Sequence, residues 1–337
     1  MTSLFRSSLF RVLTATLVLI GSLASANTTP EQWNSYPAEL PKFDYSGDKL
    51  KANWDLLTRG TKEPFPDVAY IKSMAEQYPE AMDLSIKELR ENSKAMGIDY
   101  VISDTLTEQD YQFYAELIQQ TWRFLFEGRF QDARELGMRL GPMGYIPGLY
   151  AQSIYAQHLS NTQEEKHTML REVIDTTDRM EKYVPDYPFI LFGNAYAKAR
   201  IAEDLSMAKA LATGYTKPMK KSLEKLISLY PSHMYGYASL GGLHGGIVEK
   251  SGSKFLARMT YGATVDDMEK YFGVALDAKP ALPVTRLEYA IALHRVFGDK
   301  KKEEALAYLR EAVAMTPVHA EESLDIAKAN RLLKEWQ

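Results

Sequence analysis

The chain has no cysteine in 337 residues, which excludes a disulfide scaffold, a cysteine-ligated metal site and a thiol nucleophile. It also lacks any excess of positive charge: 40 Lys and Arg against 44 Asp and Glu give a formal net charge of −4. A nucleic-acid-binding protein of the basic type is thereby excluded. The six histidines form no H-E-x-x-H motif and no i, i+4 pair that could chelate zinc, so neither a metal nor a cofactor is expected. No run of alternating β-branched residues is long enough to force a sheet. What remains is 45% hydrophobic and 25% charged, too apolar for a disordered chain.

The first 26 residues read as an address. Arg6 and Arg11 make a positive start, Val12 to Leu23 form an apolar stretch short of the roughly 20 residues a membrane span needs, and Ala24-Ser25-Ala26 is a small-x-small cleavage site. Cleavage is expected before Asn27, leaving 38 basic and 44 acidic residues and a net charge of −6. The expectation is a mature bacterial periplasmic protein with no stable membrane insertion. Residues 27–47, with Pro30, Pro37 and Pro41 and no helical or strand period, are expected to form an extended arm. Residues 48–337 are expected to form one helical repeat domain.

That domain is read from its periods. Val265, Met268, Phe272 and Ala275 make one helical stripe, with Thr264 and Asp267 as its capping box. Ala305, Leu309 and Ala312, and earlier Met219, Leu223 and Leu226, repeat the spacing, each set followed by proline. The prolines read as helix closers are Pro142, Pro185, Pro231, Pro280 and Pro317, separated by 43, 46, 49 and 37 residues. A helix pair closed by proline is the tetratricopeptide pattern, here with units longer than the usual 34 or so residues. Gly298-Asp299 and Glu127-Gly128-Arg129 read as turns between helices, and Trp54 to Pro79 as one more hairpin. Ile326, Ala329, Leu333 and Trp336 give a last stripe suited to capping the open end. The expected fold is all-α: stacked antiparallel helical hairpins, a degenerate tetratricopeptide-like α-solenoid with a C-terminal capping helix.

The segments Leu240 to Lys250, Ala257 to Ala263 and Leu287 to Ala290 resemble a family of exported, largely uncharacterised bacterial tetratricopeptide-like proteins. The likeness covers about the last hundred residues and implies the helical-repeat fold without implying any catalytic residue. In helix order the chain is more loosely similar to the T-component of periplasmic tripartite transporters and to eukaryotic regulators of microtubule dynamics. A T-component is usually a lipoprotein, and this chain has no lipobox cysteine.

Gly241, Gly242, Gly245 and Gly246 surround His244. They form two i, i+4 pairs, so a helix through them offers a small-residue face to a close neighbour; a ligand-facing surface is the competing reading. If the segment binds something, His244, Glu249, Arg258 and Tyr261 are the polar residues expected to gather there. Ser251-Gly252-Ser253-Lys254 fits S-x-x-K, but the K-T-G and S-D-N partners of serine acyltransferases are absent and Ser222 to Lys225 repeats the pattern inside a helix. His294 sits at the edge of an apolar stripe and reads as a hydrogen-bonded core histidine. Glu303-Glu304 and Glu321-Glu322 fall in first turns of helices, where negative charge favours the dipole. The 21 tyrosines are assigned mostly to seams between helices. With no complete catalytic set, the function expected is a non-enzymatic periplasmic scaffold that binds a protein or peptide partner; the alternative is a small-ligand-binding accessory protein of a periplasmic transport system. A closed, apolar-lined channel favours the second.

Overall fold

A computed structural model describes residues 32–337; the expected leader at 1–26 lies outside the described residues. Among these residues the regular structure is helical throughout. Residues 32–47 run without helix. Two one-turn helices follow, α1 (Lys49–Ala52) and α2 (Trp54–Leu57), then α3 (Val68–Gln77), α4 (Pro79–Asn92), α5 (Glu108–Phe126), α6 (Phe130–Gly137), α7 (Pro142–His158), α8 (Gln163–Met180) and α9 (Pro188–Glu203). The remaining helices are α10 (Met207–Ala212), α11 (Thr216–Leu229), α12 (Met234–Ser251), α13 (Lys254–Tyr261), α14 (Val265–Leu276), α15 (Pro283–Phe297), α16 (Lys302–Val313) and α17 (Ala320–Trp336). Each long helix packs on its neighbours in the chain: α6 on α7, α7 on α8, α8 on α9, α9 on α11, α12 on α14 and α15, and α15 on α16. The all-α, stacked-helix architecture expected from the sequence is therefore the observed one.

Local chemistry sets the helix ends. Thr107 and Asp110 form a complete capping box at α5, and Asp67, Thr162, Ser206 and Ser253 cap α3, α8, α10 and α13 by accepting from the third amide onward. Pro185, Pro231, Pro280 and Pro317 lie just beyond the ends of α8, α11, α14 and α16. Pro142 departs from the expectation: it is the first residue of α7, where its missing N–H costs nothing and its fixed φ suits the helix. The hairpin expected over Trp54 to Pro79 is also replaced. The one-turn helices α1 and α2 precede a loop and α3, because Trp54 turns inward, buried against Phe65, Trp122 and Phe126 with its indole N–H donated to the Glu63 carbonyl.

Two main apolar cores result among the described residues, beside a small third cluster of Val248, Ala257 and Ala263. The larger draws on residues from Trp33 to Leu324 and includes Tyr114, Leu140, Tyr155 and Leu170; the second is built from Met268, Phe272, Leu287, Leu293, Leu306 and Leu309. The expected stripes of α14 and α16 lie in the second core, with Met268, Phe272, Ala275, Ala305, Leu309 and Ala312 all fully buried. The C-terminal helix α17 belongs to both: Ala320 and Leu324 join the first core and Ala329 the second. It packs against α5, α15 and α16.

Charge fixes that position. Arg59 and Glu322 form an ion pair whose side chains are 4% and 1% exposed. Arg59 also donates to the carbonyls of Leu56 and Ala281, and Glu322 accepts from the Val318 amide at 2.9 Å. Removing one member of such a pair strands the other in a medium that solvates it poorly. Arg59→Ala is accordingly expected to destabilise the chain by about 3–5 kcal/mol, read as a loss of denaturation midpoint in urea, with Glu322→Gln milder because it keeps a hydrogen-bonding side chain.

Candidate binding cavity

Helices α9, α12, α15 and α17 do not close on one another completely. They leave a cavity of about 140 Å³ that is partly open to solvent. Its walls are mostly apolar: Phe192 and Ala199 from α9, Met219 from α11, Leu243 and Ile247 from α12, and Val284 from α15. Met207, Leu211 and Tyr261, from the short helices α10 and α13, line it as well.

The glycines of α12 explain the shape. A Cβ on Gly241 would stand 2.6–2.9 Å from the ring of the fully buried Phe272, and one on Gly245 would stand 3.0 Å from the Met268 sulfur. A Cβ on Gly242 or Gly246 would meet nothing within 4 Å, and both residues line the cavity. The two glycine pairs thus serve different faces of one helix, the first admitting α14 and the second leaving room.

The deep end of the cavity is polar and built from residues far apart in sequence. Arg200 donates to Glu288 at 2.9 Å and to both oxygens of Glu203 at 3.0 Å. Lys328 stands 4.0 Å from Glu288. Burial opposes the charge on Glu288, but Arg200 and then Lys328 outweigh it and hold the carboxyl below its ordinary range. Glu321 and Asp325 are different. Burial raises both; the Tyr150 hydroxyl, 2.9 Å from Glu321, offsets this in part, and the Glu321 charge raises Asp325 further. His158 stands 3.5 Å from Asp325, yet burial, with Lys328 and Arg200 nearby, drives its pKa down and keeps the imidazole neutral. The Nε of Arg200 and the Oε1 of Gln157 are buried with no hydrogen-bond partner among the described residues. An apolar, partly enclosed space with a few convergent polar groups has the general form of a small-molecule site.

The four residues expected to gather around the glycines are not brought together. His244 faces α14: its Nδ1 accepts from the Thr264 amide at 3.2 Å and lies 3.8 Å from Asp267. It thereby supplies the bond that the Thr264–Asp267 capping box was expected to complete, since Asp267 contacts the Thr264 hydroxyl instead. Glu249 is exposed, five residues on and therefore about 140° around the helix from His244. Arg258 is exposed on α13, beyond the turn at Gly252, whose φ of 61° breaks the helix direction. Tyr261 alone lines the cavity. His294 is also corrected: its ring stacks on Trp336 with centroids 4.0 Å apart, and its Nδ1 has no hydrogen-bond partner.

Arg200, Glu288, Glu321, Asp325 and Lys328 were not among the sequence candidates. Their signal was present but weak. Glu288 is an acid flanked by Leu287 and Tyr289 in an apolar helix, and Glu321 and Asp325 share a helix face with Leu324 beside it. The dipole reading of Glu321 and Glu322 holds for their place in the first turn but does not account for their burial. No protein-family model matches the chain, and no curated protein matches it.

Two predictions follow from opposite faces of α12 and from α17. Gly241→Ala is expected to cost about 1–3 kcal/mol through overpacking on Phe272, whereas Gly246→Ala gains about 0.5–1 kcal/mol of helix propensity without a clash; paired denaturant titrations distinguish them. For α17, carboxyls whose pKa is raised by folding stabilise fully below their unfolded pKa, and that contribution is lost as pH rises through the folded value. The groups facing them are Tyr150 and His158 of α7, Tyr196 and Arg200 of α9, Tyr235 of α12, Glu288 of α15, and Glu322 and Lys328 of α17 itself. A Glu321→Gln, Asp325→Asn double variant is expected to gain about 1–3 kcal/mol on the parent between pH 5 and pH 8, measured as the difference of their unfolding free energies at each pH.

Proposed function

We propose that this chain is a non-enzymatic binding protein that works in the periplasm, and that its cargo is a small molecule held in the cavity between α9, α12, α15 and α17. The observation that carries this reading is the cavity itself: apolar walls converge on a buried polar end, and Gly242 and Gly246 keep the α12 wall open. A native helical interior is packed to crystal-like density, so a space of this size between four long helices needs a reason. The loose likeness to the T-component of tripartite transporters supports a role beside a transport system. Binding rather than turnover is supported by the pairing at the polar end, where Arg200 and Glu288 engage one another.

The scaffold reading keeps one observation in its favour. Phe255, Leu256 and Met259 of α13 are 70%, 52% and 69% exposed, an apolar group of the kind that marks protein contacts. Photo-cross-linking from position 255 in intact cells tests it, and failure to capture any one protein reproducibly would remove it.

For the cavity, an environment-sensitive apolar dye is expected to bind the mature chain with one-to-one stoichiometry. Gly246→Trp, which projects an indole into the open space, is expected to weaken it at least tenfold, about 1.4 kcal/mol, with the helical circular dichroism unchanged. Undiminished dye binding in that variant would place the dye elsewhere and remove the support for a cavity ligand.

A further inference from the structure

The charges lining the cavity are unequally satisfied. Each basic group has a partner: Arg200 holds Glu203 and Glu288, Lys328 stands beside Glu288, and Arg295 lies 3.9 Å from Glu203. Lys250 donates to the main-chain carbonyls of Glu203 and Leu205 at 3.4 and 2.8 Å. Two acids are left over. Among the described residues no Lys or Arg nitrogen lies within ion-pair distance of Glu321 or Asp325. Glu321 receives one hydroxyl, from Tyr150. Asp325, its side chain only 6% exposed, stands 3.5 Å from the neutral His158 imidazole and makes no hydrogen bond among the described residues.

These acids are one helical turn apart on α17, so their side chains lie on the same face, and both line the cavity. Aromatic rings line it with them. Phe192, Tyr196 and Tyr235 all border the space. Burial disfavours ionisation of these acids while the cavity is empty, and Lys328 offsets this only in part at Asp325, so a positive charge arriving beside them is favoured because it restores the charged form. Carboxylates attract a cation strongly in a desolvated site, and aromatic faces add about 0.5–2 kcal/mol.

We infer that the cavity takes an organic ammonium ion with an apolar body, its cationic head seated between Glu321 and Asp325 against Tyr196 and Tyr235 and its apolar part along Phe192, Leu243 and Ile247. The inference rests on the cavity being a ligand site and adds the sign of the ligand's charge. Anions are disfavoured because the cations they would need are already engaged, Arg200, Arg295 and Lys328 by the carboxylates of Glu203 and Glu288 and Lys250 by two main-chain carbonyls.

The test uses the mature full-length chain and four probes of equal chain length: hexylammonium, hexyltrimethylammonium, hexanol and hexanoate, titrated calorimetrically at neutral pH. The expected result is that at least one ammonium probe binds tenfold or more tightly than hexanol and that hexanoate binds most weakly. Asp325→Asn and Glu321→Gln, made singly and together, should lower ammonium affinity at least tenfold while leaving hexanol affinity within about twofold. If hexanol or hexanoate binds as well as the ammonium probes, and Gly246→Trp still blocks it, the charge inference is overturned while the cavity reading stands. If no probe binds, or Gly246→Trp leaves binding unchanged, both are overturned. The head-group series on the parent chain decides the matter even where a variant at Asp325 fails to fold.

Discussion

The position of α17 depends on one buried ion pair. Arg59, at the end of the one-turn helix α2, meets Glu322 in the first turn of the last helix, more than 260 residues away in the chain. A charged pair in an apolar interior contributes little net stability compared with well-packed hydrophobic residues, but it tolerates few alternatives, because either charge without the other is costly. It therefore specifies register. With Glu322 held, the preceding residue Glu321 points to Tyr150, and Asp325, one turn on, comes to His158. The polar end of the cavity is assembled by the same contact that attaches the C-terminal helix to the N-terminal core.

The same arrangement carries a local cost. Glu321 and Asp325 occupy positions where an apolar side chain would stabilise the empty protein, and burial makes their ionisation unfavourable. Elsewhere in the interior polar side chains are tied into networks: Gln152 is shared among Arg134, Met169 and Glu172, and Asn194 bonds both Thr177 and Asp178. Two acids that line an open space with no Lys or Arg within ion-pair distance among the described residues fit a site whose remaining partner is a ligand.

Helix α12 links packing to that space. Glycine is a poor helix former, and four of them in six residues weaken the helix locally. Gly241 and Gly245 recover the loss by letting α14 approach until Phe272 lies against the backbone. Gly242 and Gly246 recover nothing from packing, which separates them physically from the other two although the sequence presents all four alike. His244, between the pairs, turns to the packed side and caps α14 through Thr264.

The sequence by itself determined the helical class, the stripes of α14, α16 and α17, and the turns at Gly128 and Gly298, because these depend on residues within one or two turns of each other: apolar spacing, a cap, a proline or a glycine at φ above zero. It also identified the glycine-rich helix as unusual. Only the tertiary structure decided which glycine pair faces a neighbour, that His244 looks away from the cavity while Tyr261 lines it, and that Arg200, Glu288 and Asp325 meet. Those outcomes depend on the rotation of each helix about its axis and on contacts between residues far apart in the chain, 171 positions for Tyr150 and Glu321 and more than 260 for Arg59 and Glu322. Local periodicity carries no information about either, since a charged residue at the edge of an apolar stripe reads the same whether it meets water, an opposite charge or an open cavity.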